Sequence, residues 1–171
     1  MKPCVFLDID GVINPSHHQA QYKIDYSLSD RIAQEKNNPK IKDLSMYLVN
    51  QVYYNFSKES IDYIHKLIEE FNAQIIITSS WRIIYPLEDL QTMFDIFGLG
   101  KYVTGTTDRI SPRTKAIEAF IKKNNVTEYV ILDDFDMSQA FDYRFIYVQY
   151  YFKEKDYQAA KYALTIQKGD K

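Results

Sequence analysis

The chain has 171 residues, a single-domain length. Its hydrophobic share of 46% excludes a disordered polymer and allows a core that needs no disulfide or structural metal. A formal net charge of −2 and a pI of about 5.9 exclude broad binding along a nucleic-acid backbone, which requires a basic excess. Cys4 is the one cysteine, so an intramolecular disulfide and a thiolate metal site are excluded as well.

No apolar stretch approaches the length that spans a bilayer, and a carboxylate at position 8 comes too early for a signal peptide. The expected setting is a soluble, reducing cytoplasm, with no membrane partner.

In chain order, residues 4–9 form a short apolar run that ends in carboxylates, with Cys4 expected as a small buried side chain. Residues 14–56 are polar, tyrosine-rich and irregular. Asn37-Asn38-Pro39 reads as a loop within them and 40–50 as a helix. The segment is expected to be an insertion, a flap or small cap over the sheet edge, since a long structureless connection is uncommon in a compact domain.

Residues 57–71 have helical spacing, with Ile61, Ile64, Ile68 and Phe71 on one face and Ser57 as the start signal. The run 75–78 reads as a second strand. Residues 86–97 form a helix carrying Leu87, Leu90, Phe94 and Phe97 that stops at Gly98, and 101–106 is a weaker strand. Ser111-Pro112 opens a helix with Ile117, Phe120 and Ile121 toward the core. Strands at 129–132 and 145–148 and a helix at 156–166 complete the pattern. Short apolar runs alternating with helices predict an α/β fold: a Rossmann-like parallel sheet covered on both faces, in one domain spanning 1–171.

In such a sheet ligands bind outside the carboxyl ends of the strands. Three runs end in polar residues suited to chemistry: Asp8 and Asp10, then Thr78, Ser79 and Ser80, then Asp133 and Asp134. Parallel pairing brings these ends to one edge. Carboxylates gathered there raise one another's pKa unless a cation intervenes, and oxygen-rich clusters suit Mg²⁺. Asp8 and Asp10 are two residues apart, so in extended geometry they point the same way, and Gly11 then lets the chain turn. Taken singly, Asp8-Ile9-Asp10-Gly11 also reads as a strand end and turn, and Asp133-Asp134 as a surface acidic pair. A calcium loop fails for want of the required glycine and distant glutamate.

The segment Val5-Phe6-Leu7-Asp8-Ile9-Asp10-Gly11-Val12-Ile13-Asn14 resembles the first motif of the haloacid dehalogenase (HAD) superfamily. Ile75-Ile76-Ile77-Thr78-Ser79-Ser80-Trp81-Arg82 resembles its second, and Ile131-Leu132-Asp133-Asp134 its fourth. The Ser-Ser-Trp-Arg form is similar to a group of HAD domains associated with RNA-repair proteins.

The resemblance implies a Mg²⁺-dependent phosphohydrolase. Asp8 would be the nucleophile that forms an aspartyl-phosphate, and Asp10 the general acid and base. Mg²⁺ would be held by Asp8, the Asp10 carbonyl, and Asp133 or Asp134. Ser79 or its rival Thr78 would contact a phosphoryl oxygen. Arg113 or Lys115 would be the cation of the third motif.

The remaining residues carry two readings each. Arg82 would contact substrate or brace an acidic residue from behind. Trp81 reads as packing in preference to substrate stacking, and His65 as helix surface or packing. His17 and His18 read as a solvated pair or as substrate contacts, and Asp136 or Asp142 as support behind the fourth motif. The expected substrate is a phosphomonoester: a phosphorylated small molecule, a nucleotide or a nucleic-acid end. The competing expectation is a catalytically idle domain that binds a protein partner through its tyrosine-rich face.

Overall fold

The computed structural model describes residues 2–17 and 21–169. Five strands, β1 (Cys4–Leu7), β2 (Gln74–Ile77), β3 (Val103–Thr106), β4 (Tyr129–Asp133) and β5 (Phe145–Tyr147), form one wholly parallel sheet in the order β3-β2-β1-β4-β5. The expected α/β fold is therefore observed. The first strand lies at the centre, with Val5 opposite Ile75 on one side and Val130 on the other.

Period-two alternation divides these short runs between two cores. Cys4, Phe6, Ile76, Tyr129 and Ile131 point to one face, where Ile117 of helix α6 (Arg113–Asn124) meets them. The ring of Phe6 makes edge contacts with Phe120 at 5.6 Å and Tyr129 at 5.8 Å. Val5, Leu7, Ile75, Ile77, Val130 and Leu132 point to the other face. There they pack against α3 (Lys58–Phe71), α5 (Leu87–Asp95) and α8 (Glu154–Gly169). Cover on both faces explains why the strands are apolar at consecutive positions.

Ser57 caps α3 as expected, its hydroxyl accepting from the Ser60 N–H at 3.2 Å. The first strand ends at Leu7, two residues before the expected boundary, because the chain turns at Ile9. The N–H groups of Val12, Ile13 and Asn14 all donate to the Ile9 carbonyl. Among the described residues, no helix is long and apolar enough to cross a membrane.

The 14–56 segment is more regular than its composition suggests. It holds α1 (Leu28–Glu35), a 3-10 turn (Pro39–Asp43) and α2 (Met46–Asn55). The first helix was not expected, and the helix expected at 40–50 falls across the 3-10 turn and the first half of α2. Side-chain amides do the organising that propensity does not. Buried Asn50 accepts from the Asp25 N–H at 2.8 Å and donates to the Asp25 carbonyl at 3.1 Å, fixing the lead-in to α1 against α2. Asn38 donates to Asp95 at 2.7 Å, tying the turn to α5.

Leu28, Ile41, Val49 and Val52 belong to the same apolar cluster as Val5 and Leu7 of the central strand. The segment returns beside its point of departure, where the Ser57 N–H donates to the Ile13 carbonyl at 2.8 Å.

This shared core makes a prediction. Ile41 is fully buried in the 3-10 turn. Ile41→Ala is expected to destabilise the whole chain by about 3 kcal/mol through the cavity it leaves. Urea unfolding followed by circular dichroism should keep a single transition at a lower midpoint. A separate early transition would show that the segment unfolds by itself.

Candidate active site

The central strand delivers Asp8 one residue past its end, and backbone bonds hold it on both sides. The Asp8 N–H donates to the Leu132 carbonyl at 3.0 Å, and the Thr78 N–H donates to the Leu7 carbonyl at 2.9 Å. Asp8, Thr78 and Asp133 continue the alternation that faces α6. The first residue of that helix, Arg113, reaches back across the strand ends. Its Nη1 donates to Oδ2 of Asp8 at 2.6 Å and to Oδ2 of Asp133 at 2.5 Å. Asp133 is fully buried and Asp8 nearly so. Lys115, the rival cation, is exposed two residues further along the helix. Of the two cations expected for the third motif, the structure brings Arg113 to the strand-end carboxylates, while Lys115, in the same first turn of α6, is exposed.

Among the described residues, Asp8, Asp133 and Asp134 bring carboxylate oxygens within 4.8 Å of one another. The side chain of Asp10 is outside this group, contrary to the expectation from extended geometry. The turn at Ile9 breaks the alternation and sends Asp10 outward, where Trp81 Nε1 donates to its Oδ2 at 2.8 Å and Asn14 Nδ2 to its Oδ1 at 2.6 Å.

Gly11 follows with φ of +77°, and a Cβ there would lie 2.1 Å from Oδ2 of Asp134. Only glycine lets the first-strand loop close onto the fourth-strand carboxylate. Three carboxylates against one guanidinium leave two negative charges, and the donors are all hard oxygens. The set fits a divalent cation of the Mg²⁺ type, with Asp8, Asp133 and Asp134 as the residues able to hold it.

Electrostatics follow from this crowding. Burial and then the neighbouring Asp8 charge push the Asp133 carboxyl up to about 6, against the pull of Arg113 and of the Phe135 N–H on its Oδ1. Burial and Asp8 also raise Asp134. For Arg113 burial works against the charge, but the two aspartates prevail and hold its pKa above the usual value.

The hydroxyls after β2 divide. Thr78 is fully buried and its Oγ1 has no hydrogen-bond partner among the described residues, whereas Ser79 Oγ accepts from the Trp81 N–H at 3.5 Å.

Arg82 neither braces an acid nor presents a free fork. Its guanidinium donates to the carbonyls of Thr78, of Ser79 at 2.8 Å, of Thr107 at 3.1 Å and of Asp108 at 3.4 Å. It clamps the ends of β2 and β3 together. A short helix that follows the second motif, α4 (Trp81–Ile84), explains the reach, since it lays Arg82 back over the strand ends. In the structure the guanidinium is engaged by these four carbonyls.

Asp136 Oδ1 accepts from the Ser138 N–H at 2.9 Å, in the turn that leads into the short helix α7 (Ser138–Phe141). His65 packs as expected, with Nε2 bonded to the Phe97 carbonyl at 2.7 Å. His18 lies outside the described residues.

The residue that the sequence reading undervalued is Trp81. It is buried against Phe56 and Tyr85, as packing requires, but its indole N–H also needs an acceptor and finds Asp10.

Beside Asp134 a cleft of about 250 Å³ opens, lined among others by Ser16, His17, Tyr147 and Tyr150. An adjoining cleft of about 260 Å³ lies between Pro15, His17, Tyr150 and Tyr151. His17 and Tyr150 are in ring contact at 5.2 Å. Tyr150 has φ of +73°, a strained backbone for a bulky residue and of a kind that clusters at ligand clamps.

Residues 4–156 match the family described as the HAD domain in Swiss Army Knife RNA repair proteins, and the chain belongs to that family. No curated protein and no solved structure matches the chain. Membership points to a hydrolase, with phosphatase chemistry the natural form on this fold.

The raised Asp133 gives a pH prediction. The folded carboxyl titrates near 6 and the unfolded one near 3.8. Between those values the folded state binds more protons, so this contribution to stability is lost as pH rises through about 6. In metal-free buffer the melting temperature of the wild type should fall more, relative to that of Asp133→Asn, between pH 4 and pH 6, roughly the window between the two values. Parallel profiles for the two proteins would refute the assignment.

Proposed function

We propose that this HAD-family domain is a Mg²⁺-dependent phosphohydrolase that acts on phosphomonoesters through an aspartyl-phosphate at Asp8. The observation that carries the reading is the guanidinium nitrogen of Arg113 shared by Asp8 and Asp133, with Asp134 completing a hard-oxygen cluster at the strand ends.

Asp8 attacks phosphorus, forming a new oxygen–phosphorus bond as the bond to the leaving oxygen breaks. Asp10 gives its proton to that oxygen. Water then attacks the phosphoryl group, Asp10 takes the water proton, and the bond to Asp8 breaks, restoring the Asp8 carboxylate and the protonated Asp10. Arg113 screens the charge between Asp8 and the incoming phosphoryl group and grips it as a cation. Thr78 supports phosphoryl binding through its unpartnered hydroxyl, with Ser79 beside it. Asp8, Asp133 and Asp134 would hold Mg²⁺, which would supply charge neutralisation at the phosphoryl group.

The substrate reading favours a nucleotide or a phosphorylated nucleic-acid end. The family description names RNA repair proteins, and the aromatic cleft beside Asp134 offers exposed ring faces on which a base can stack. The net charge of −2 fits recognition of an end over binding along a strand. In this reading 1–171 acts as a single domain, with 14–56 a cap segment fused to the body.

The test is hydrolysis of an aryl phosphate, with and without Mg²⁺, by the wild type and by Asp8→Asn. Mg²⁺-dependent turnover is expected, with a loss of more than about a thousandfold in the variant. Mononucleotides and 3′- and 5′-phosphorylated oligonucleotides should then turn over with higher kcat/KM than the aryl probe. Absence of turnover on the whole panel, together with failure to trap beryllofluoride in the presence of Mg²⁺, would favour an idle domain that binds a partner through its tyrosine-rich face.

A further inference from the structure

Asp10 is exposed, yet both oxygens of its carboxylate are held. Trp81 Nε1 donates to Oδ2 at 2.8 Å, and Asn14 Nδ2 donates to Oδ1 at 2.6 Å. An exposed aspartate ordinarily turns its carboxylate through a broad χ2 range. Here one donor belongs to a rigid ring. Trp81 is 8% exposed and wedged between Phe56, with ring centroids 6.0 Å apart, and Tyr85, at 5.7 Å. It opens α4, directly after the hydroxyls that follow β2, and Arg82 beside it clamps the ends of β2 and β3. The indole is thus anchored to the same strand ends as the candidate site.

The two donors differ in chemistry. An indole N–H can only donate, so the oxygen facing it must accept in every protonation state of the acid. Oδ2 therefore remains an acceptor both in the carboxylate and in the neutral acid, and since the carbonyl oxygen of a carboxyl is the better acceptor, the bond favours the acid proton on Oδ1. A primary amide on a loop imposes no such rule, since it carries both a donor and an acceptor.

We propose that Trp81 is a positioning residue for Asp10, and that by holding Oδ2 it makes Oδ1 the oxygen that carries the proton in catalysis. This rests on the phosphohydrolase reading above. As the bond between phosphorus and the leaving oxygen breaks, the Oδ1 proton passes to that oxygen and its electron pair stays with the carboxylate. In the second step Oδ1 accepts a proton from the attacking water, and the acid is restored with Oδ2 still bonded to the indole. The alternative is that the bond serves only the indole, giving a buried N–H its partner.

The two roles separate by leaving group. Protonation matters most where the departing oxygen is a poor leaving group, such as an alkyl or sugar hydroxyl, and least for a nitrophenolate. Trp81→Phe keeps the packing against Phe56 and Tyr85 and removes the N–H. We expect kcat for an alkyl phosphomonoester to fall on the order of tenfold to a hundredfold with KM unchanged, and to fall several-fold less for p-nitrophenyl phosphate. An equal fall on both substrates, or none on either, overturns the proposal while leaving the phosphohydrolase reading intact. A wild type that hydrolyses neither these substrates nor the nucleotide and oligonucleotide panel, and does not trap beryllofluoride, overturns both.

A second measurement needs no turnover and no change to the tryptophan. Trp81 is the chain's single tryptophan, so tryptophan emission reports the surroundings of this one indole. Asp10→Ala removes a negative group from the pyrrole side of the indole and should shift the emission to shorter wavelength. Emission identical to the wild type would mean that the contact is absent in solution and would overturn the proposal.

Discussion

Everything at the strand ends depends on how like charges are kept together. Parallel pairing puts Asp8 beside Asp133, and both are buried, so their repulsion works against the fold. Arg113 answers it by bridging both carboxylates from the first turn of α6. The position of that helix is fixed in turn by Ile117 and Phe120 on the Phe6 face of the sheet. Packing on one face thus determines where the compensating charge stands. One guanidinium against three carboxylates leaves a hard-oxygen cluster of a kind that could hold a divalent cation.

Much of this was legible in the sequence. Strands buried on both faces announce themselves as consecutive apolar residues, and the carboxylates that end them need only parallel pairing to converge. Ser57 was readable as a cap because capping is local chemistry. What was not legible depends on contacts distant in the chain. Arg113 and Lys115 are equally basic, and only the direction of the helix separates them. Asp10 follows the same alternation as Asp8 until the Ile9 carbonyl draws in three N–H groups and turns the chain away. Helix α1 escaped notice because the residues that hold it, Asn50 and Asp25, lie 25 positions apart.

The second motif shows how one short stretch serves several ends. Thr78 keeps a buried hydroxyl without a partner, Ser79 turns toward the backbone of Trp81, Trp81 reaches Asp10, and Arg82 ties two strand ends together. Four side chains among five consecutive residues leave in four directions because the strand ends at Ile77 and α4 begins at Trp81. The change from a period of two to one of 3.6 within this stretch distributes them. A unit built this way is rigid where the backbone is clamped, and among the described residues it leaves the Thr78 hydroxyl without a partner.

The closure of the 14–56 segment bears on how such a chain diversifies. Because the Ser57 N–H meets the Ile13 carbonyl, the segment enters and leaves the body through a single gateway. Lengthening a connection between neighbouring points costs little entropy, about 0.6 kcal/mol per doubling. The gateway therefore behaves as a cassette site: its contents can be exchanged, in evolution or by design, without moving a strand. The condition on any replacement is steric. It must bring apolar side chains to the hollow now filled by Ile41, Val49 and Val52, or the central sheet loses part of its cover.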